Sequence, residues 1–232
     1  MVNPQAEVHA PSRPLRSEQL GNTTLPAQIH GFLEEAIIRG EIAPSTRLHP
    51  DDIAANYGVS RIPVREALRS LHEAGWVEIR PRYGVYVRER SMTELHELFE
   101  ARSGIESQIA ALAAERRTDE ELGALRDIVA AGRTAARDGD TDATADASIR
   151  FNQVMRDACR NSVLAVISAS LEKRARFYFA MVEGRLGADW VSVEQQLVER
   201  LTERDSEGAA AAAREHIQDT GSEVSKLLTN QG

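Results

Sequence analysis

The sequence is poor in cysteine, in aromatic residues and in long apolar segments. Cys159 is the single cysteine among 232 residues, which excludes an internal disulfide and a zinc site built from several thiolates. Aromatic residues make up only 5%, so Ala, Leu, Val and Ile must form most of the core, which favours packed helices. No apolar run approaches the roughly 18 residues of a membrane span, and no signal-peptide core is present. We therefore expect a soluble cytoplasmic protein without a membrane partner.

The negative charge is confined to one part of the chain. Residues 1–90 carry 11 Arg and 11 acidic residues, so the net charge of −8 belongs entirely to residues 91–232. An acidic total argues against a protein that coats nucleic acid through bulk charge. Within residues 61–90, however, seven Arg outnumber four Glu. A small DNA-reading segment on an acidic body remains compatible with this distribution.

The first 90 residues divide into an arm and a patterned segment. Low periodicity and several prolines over residues 1–23 indicate a flexible arm. Residues 24–90 show three helical segments, a tight turn containing Gly58, and alternation on both sides of a turn at 81–84 that predicts a β-hairpin. Helix, turn, helix and hairpin follow one another in this order in a winged helix-turn-helix, whose second helix lies in the major groove of DNA.

Residues 91–232 carry helical signals only. Six segments with apolar stripes are joined by short connections, which predicts an antiparallel bundle. The fold class is therefore mainly α, with an N-terminal winged helix-turn-helix domain followed by a C-terminal six-helix, all-α bundle.

Arginines mark one face of the helix after the turn. Arg61, Arg65 and Arg69 recur every four residues, and Arg is suited to both guanine and phosphate contacts. Ser60 is a favourable N-cap that presents the helix start to phosphate, and Arg82 lies at the hairpin tip. The alternative is a solvated face whose arginines pair with the helix's own glutamates.

Polar residues interrupt the apolar stripes of the C-terminal half. Arg102, Glu194 and His216 stand where a helical core pattern calls for apolar side chains, and Arg174 falls on a similar stripe. Because a buried charge must be paired or ligated, we expect one or more of them to meet in the centre of the bundle. Arg102 and Glu194 pairing with each other as a structural bridge is the alternative, as is a partly buried core role for His216.

Two halves of the chain resemble one known family. Residues 47–87 resemble the DNA-binding domain of the GntR family of bacterial transcription regulators, most closely in GVSRIPVREALRSLHEAGWV (58–77). The C-terminal half resembles the FCD-type effector domain of the FadR branch, through EARSGIESQIAALAA (100–114), FNQVMRDACRNSVL (151–164) and AAAREHI (211–217). The resemblance implies a homodimer that binds short palindromic operators in double-stranded DNA.

The resemblance also implies roles for individual residues. Arg61 and Arg65 match arginines that contact operator DNA, and Arg47 and Arg69 match positions that touch phosphates. Ile62 and Pro63 stand where some relatives have polar residues that touch DNA.

Many FCD relatives hold a divalent metal with one Asp and three His. Ser148 matches the Asp, Asn152 the first His and Glu194 the second, although a one-residue shift would place Gln195 there, and only His216 keeps the family's ligand. Ser and Asn are weak neutral ligands, so we expect no metal cofactor, with Glu194 and His216 as weak candidates for a residual site. The six candidate effector-binding residues are Arg102, Ser148, Asn152, Arg174, Glu194 and His216.

The sequence thus predicts a transcription repressor whose affinity for its operator is controlled by a small metabolite. Arg102 would receive a carboxylate of this effector. One alternative is a DNA-binding dimer without an effector, its pocket closed by an Arg102–Glu194 pair. The other is a metal-dependent helical-bundle enzyme, which the scarcity of nucleophile–base pairs and phosphate loops disfavours.

Overall fold

A computed structural model of the chain describes residues 23–89, 91–182 and 190–230. The chain divides into two compact units, with the boundary in the sequence between Ser91 and Met92, and each unit is described by itself. The arm predicted at residues 1–23 lies outside the described residues except for its last one. The mainly helical class with a winged first unit and a helical second unit is confirmed. Within the described ranges, no helix is both long and apolar enough to cross a bilayer.

The first unit, called here the winged unit, combines three helices with a small sheet over residues 23–89. In chain order these are α1 (Leu25–Ile38), β1 (Arg47–Leu48), α2 (Pro50–Tyr57), α3 (Arg61–Glu73), β2 (Val77–Arg80) and β3 (Gly84–Val87). The turn between α2 and α3 passes through Gly58 at φ +65°. The three helices pack through side chains with little or no exposed surface: Ile29, Leu33, Ile53, Val64, Leu68 and Leu71.

The sheet contains one strand more than the predicted hairpin. Its order is β1-β3-β2 with antiparallel neighbours, and Arg47 and Glu78 both lie opposite Tyr86. β1 spans only two residues, too short for an alternating pattern to reveal it. Because opposite residues of neighbouring strands share a face, Arg47, Glu78 and Tyr86 form one polar row across the sheet.

Within its described residues, the second unit, called the helical unit, contains six helices, as predicted. They are α4 (Met92–Arg116), α5 (Asp119–Asp138), α6 (Thr141–Ala158), α7 (Ser162–Phe179), α8 (Trp190–Glu203) and α9 (Ser206–Thr229). Side-chain caps fix several of their starts. Thr118 and Glu121 form a reciprocal capping box at α5, and Asp140 and Asp205 accept backbone N–H groups at α6 and α9.

The first and last helices of the helical unit approach each other closely. α4 packs along α9, and Gly221 is buried at the crossing. A Cβ atom at Gly221 would lie 2.7 Å from Cγ of Phe99. Glycine at this position therefore allows the backbone of α9 to lie against the Phe99 ring.

Candidate functional site

The predicted arginines of α3 share one exposed face. Arg61, Arg65 and Arg69 are all exposed. The buried side chains of the helix, which lie on the opposite face, are Val64, Ala67, Leu68 and Leu71. An amphipathic helix with this division packs against its own unit through one face and leaves the arginine face available to a partner.

Two of these arginines make weak ion pairs. Nε of Arg61 lies 2.8 Å from Oδ1 of Asp51 on α2, and Nε of Arg69 lies 3.6 Å from Oε1 of Glu73. Both pairs are largely exposed, with side-chain exposures between 61% and 74%, so solvent screens them. Arg65 has no ion-pair partner in the part of the chain that the structure describes. The alternative of pairing within the helix therefore holds for Arg69 alone.

Ser60 occupies the N-cap position of α3 with extended backbone angles of φ −75° and ψ 165°. Ser60 is thus the N-cap residue that the sequence predicts, although its hydroxyl makes no capping hydrogen bond. Pro63, the third helical residue, has no N–H to be satisfied there. The Ser60 hydroxyl is exposed at the start of the arginine face.

The wing places further arginines near its tip. Arg82 is exposed in the β2–β3 turn at φ +68°. The guanidinium of Arg47 crosses Gly84, where a Cβ atom would lie 3.0 Å from its Nε, and Gly84 itself has φ +119°. A glycine is thus required both by the backbone conformation and by the side chain that lies over it.

Arg80 on β2 and Tyr86 on β3 form a contact that sequence reasoning missed. The guanidinium of Arg80 lies 4.4 Å from the centre of the Tyr86 ring and pairs with Glu78. The hairpin pattern placed Arg80 on a strand, but only the register with β3 brings it onto this aromatic ring.

The helical unit holds a second set of polar and charged residues, buried or partly buried, called here the buried polar cluster: Arg102, Glu106, Asn152, Arg156, Ser168 and Glu172. Arg102 is 5% exposed, and its Nε has no hydrogen-bond partner. Its guanidinium carbon lies 5.3 Å from the centre of the Phe99 ring. Burial lowers the pKa of Arg102, while attraction to Glu106, one turn along α4, opposes this shift.

Arg156 and Glu172 form the hydrogen-bonded part of the cluster. Nη1 of Arg156 donates to Oε2 of Glu172 at 2.7 Å, and Nδ2 of Asn152 donates to Oε1 of the same carboxylate at 2.9 Å. Arg156 is 5% exposed, and its Nε has no partner. The interior therefore holds two guanidinium Nε–H groups without acceptors, a costly arrangement in a protein core.

Glu106 completes the cluster from α4. The Ser168 hydroxyl on α7 donates to its Oε1 at 2.8 Å. Burial raises the pKa of Glu106, and the nearby Arg102 partly offsets this rise. Sequence reasoning missed Glu106, Arg156 and Glu172. The signal for Glu106 was its position four residues after Arg102, where the two side chains meet on one helix face.

Glu194 and His216 are neutral groups in this unit near pH 7. Glu194 is 5% exposed with its Oε2 unpartnered, and burial raises its pKa to about 9. Burial and the positive charge of Arg102 lower the pKa of His216 to about 4. No ion pair joins Arg102 to Glu194, so the predicted structural bridge between them is not formed. Arg102 lies within electrostatic reach of His216, and Glu106 is its main acidic neighbour.

Two of the six candidate effector residues lie away from these contacts. Arg174 is exposed on α7, so the expectation that it joins the buried charges is wrong. The buried residues of α7 are Ser168, Ala175, Phe177 and Tyr178, so Ala175 rather than its neighbour Arg174 turns inward. Ser148 is partly buried one turn before Asn152 on α6.

The residues at the family's metal positions do not fit a metal. The Asn152 amide donates to Glu172, and Ser148 supplies a neutral hydroxyl, which is a weak ligand. Over the described ranges, no group of three or more His, Cys, Asp or Glu side chains is arranged to hold a metal ion. We therefore derive no role for a metal at these positions.

Comparison with known proteins identifies the architecture. Residues 97–219 match the model of the FCD domain, and residues 25–87 match the model of bacterial regulatory proteins of the gntR family. The chain belongs to the GntR family. Its winged unit carries the family's helix-turn-helix match, and its helical unit carries the FCD match.

Among curated proteins, this GntR-family chain is similar to named transcription regulators. It is 27% identical to the HTH-type transcriptional repressor RspR of Escherichia coli K12 over 219 residues, covering 89% of this chain and 92% of RspR. It is 28% identical over 205 residues to the probable D-xylose utilization operon transcriptional repressor of Paenarthrobacter nicotinovorans, covering 87% and 89% of the two chains.

Solved structures share the fold of this GntR-family chain. E. coli McbR/YncC superposes with a TM-score of 0.76 at 21% identity, over 90% of this chain and all of the other. A putative GntR transcriptional regulator from Rhodococcus sp. RHA1 gives a TM-score of 0.69 at 22% identity, over 87% and 98%. At these identities the likeness concerns the fold alone.

Proposed function

We propose that this GntR-family chain is a transcription repressor that binds operator DNA through α3 and releases it in response to a small anionic metabolite. The observation that carries the DNA-binding part is the exposed face of Arg61, Arg65 and Arg69, displayed by the helix that enters the major groove in helix-turn-helix proteins. The named repressors among its relatives support the sign of regulation.

Within the winged unit, the proposed DNA contacts fall into two groups. Arg61 and Arg65 lie in the first two turns of α3 and are assigned to base edges. Phosphate contacts are assigned to Ser60 at the start of α3, to Arg69 in its third turn, and to Arg47 and Arg82 in the wing. Such contacts position the protein on the duplex without reading its sequence.

The effector site is proposed at the buried polar cluster. Arg102 and Arg156 each leave an Nε–H without an acceptor, and a carboxylate accepts two such donors in charge-assisted hydrogen bonds. Asn152, Glu194 and His216 supply neutral polar groups, and Ser148 lies one turn from Asn152. An organic carboxylate fits this arrangement better than a metal, and no catalytic step is needed to explain it.

A homodimer is the proposed assembly. α7 exposes Val163 to 67% and Val166 to 71%, with Ile167 at 40%, and a second copy of this chain is the occupant that a two-fold operator requires. Sedimentation of the full chain tests this assignment. We expect a dimer that dissociates at least tenfold more readily in Val166→Glu. A monomeric wild type would exclude two-fold operator recognition.

Fluorescence anisotropy with operator DNA tests the regulatory proposal. A duplex selected by the full chain from a random pool serves as the probe, and small mono- and dicarboxylates are titrated against the complex. We expect at least one to weaken operator binding and to raise the melting temperature of wild type but not of Arg102→Gln. Arg174→Gln, which removes an exposed arginine, is the matched control and keeps both responses. Carboxylates that change neither property would contradict the effector assignment.

A further inference from the structure

One large apolar side chain lies within the arginine face of α3. Ile62 is 70% exposed, although it is the second residue of the helix. It precedes Arg65 by three residues and Arg69 by seven, so the three side chains share one face. The apolar contacts of α3 with its own unit are made by the opposite face.

Local stability does not explain an isoleucine at this position. Ile62 buries little surface, and a β-branched side chain has a lower helix propensity than alanine. The same restricted χ1 rotation, however, makes the side chain rigid. Pro63 follows directly and fixes its own φ, which stiffens the first turn of α3 further. A rigid apolar group presented in this way loses little conformational entropy when it meets a partner.

The major groove of DNA offers one apolar group to such a side chain. Among the four bases, only thymine displays a methyl group there, and apolar side chains recognise it by contact. The N-terminal residues of a recognition helix are the ones that reach base edges. Ile62 stands among these residues, between the arginines proposed to bind bases and phosphates.

We propose that Ile62 reads thymine by packing against its 5-methyl group, within the base pairs spanned by Arg61 and Arg65. This inference rests on the proposed DNA-binding function. It assigns the operator a thymine at that position, and it makes Ile62 a specificity-determining residue where a shorter or polar side chain would tolerate other bases.

The test removes the methyl group from the DNA and the side chain from the protein. The full chain first selects its operator from a random duplex pool. Each thymine of the selected duplex is then replaced by uracil, which differs only in lacking the methyl group. Wild type is expected to lose about fourfold in affinity for each uracil at the recognised position, the effect of one lost methylene-sized contact. Ile62→Ala is expected to bind the thymine and uracil duplexes equally.

Ile79→Ala is the matched control. Ile79 is the other isoleucine exposed in the winged unit, at 47%, and it lies on β2 rather than on α3. This variant is expected to keep the full wild-type sensitivity to uracil. Circular dichroism and melting temperature verify that both variants are folded, which the exposure of both side chains favours.

The outcomes separate this inference from the function on which it rests. If the chain selects no sequence, site-specific DNA binding itself fails. If an operator is selected but no thymine-to-uracil change affects wild type, the reading role of Ile62 is wrong while the regulator proposal stands. The same conclusion follows if Ile62→Ala retains the wild-type uracil penalty.

Discussion

The two units use arginine in opposite ways. Arg61 and Arg69 in the winged unit are 65% and 74% exposed, and their carboxylate partners are just as accessible. Arg102 and Arg156 in the helical unit are each 5% exposed and lie among carboxylates, hydroxyl and amide groups. Exposed pairs contribute little to stability and separate readily when a stronger anion arrives. The stability of a buried pair depends on each hydrogen-bond and ion-pair partner, because an uncompensated charge in the interior is costly.

The largest expected difference between the units comes from removing one carboxylate in each. Glu172→Ala leaves Arg156 buried without its partner and is expected to lower the free energy of unfolding by about 3–5 kcal/mol. Glu73→Ala removes the exposed partner of Arg69 and is expected to cost less than about 0.5 kcal/mol. Urea unfolding followed by circular dichroism measures both. Equal losses would remove the distinction drawn between the units.

A pH titration of stability tests the protonation of Glu194 in the helical unit. Burial raises the pKa of Glu194 from 4.5 to about 9, so the folded protein keeps a proton that the unfolded chain releases. Stability should therefore fall as pH rises toward 9, by at most about 1.4 kcal/mol per pH unit. The lowered pKa of His216 acts oppositely, but only between its folded value of about 4 and its ordinary value of 6.5.

The window from pH 6.5 to 9 lies above the range in which His216 acts, although Glu106 is a second carboxyl whose pKa burial raises. Glu194→Gln is expected to reduce the decline there, and His216→Gln to leave it intact while reducing the loss of stability between pH 6.5 and 4. A decline of unchanged size in Glu194→Gln would assign it to another group.

Measurements of operator binding test the roles of the arginines in the winged unit. Arg65→Ala is expected to weaken binding about 10-fold to 100-fold and to relax the preference at one base pair, the effect of losing a base-reading arginine. Arg69→Ala, on the same face, is expected to weaken all sequences alike and to reduce the salt dependence by about one phosphate contact. Competition binding at several salt concentrations distinguishes the two patterns. Identical patterns for both variants would contradict the division into base and phosphate contacts.

The smallest effect is expected at Asp51. Asp51→Asn releases Arg61 from its exposed ion pair, and the free energy of unfolding should change by less than about 1 kcal/mol. Binding to non-specific DNA should become slightly tighter because a negative charge near the phosphates is removed. Asp52→Asn is the control, since it removes the neighbouring exposed charge on α2 without disturbing Arg61. A larger stability loss than this would show that Asp51 organises the α2–α3 corner.

Periodicity predicted the helices of both units well because each helix buries one stripe. The periodicity prediction failed on α7, where a shift of one residue decides which side chains are buried. Arg174 was assigned to the interior of α7 from the apolar positions before it, but spacings of three and four are nearly equivalent. The helix turned its buried face to Ala175 instead. Strand β1 spans only two residues, too few to show an alternating pattern. Its pairing partner β3 lies almost 40 residues further along the chain, so no local signal reveals the pairing either.

The buried polar cluster was predicted only in part. Arg102 and Glu194 interrupt apolar stripes and could be found by that signal, and both are buried. Arg156 and Glu172 could not, because their positions look like ordinary charged helix residues until α6 and α7 are packed together. A local pattern identifies which side chains turn inward, whereas partners across helices depend on how those helices pack.

The close contact between Gly221 and Phe99 has a consequence for synthesis of the chain. This contact holds α4, the first helix of the helical unit, against α9, the last. The packing of α4 on α9 therefore forms only after α9 has left the ribosome. The winged unit pairs residues within its own 91-residue segment and is complete far earlier. Domains generally fold in the order in which they are made. The nascent chain therefore forms the arginine face of α3 before α4 can pack against α9.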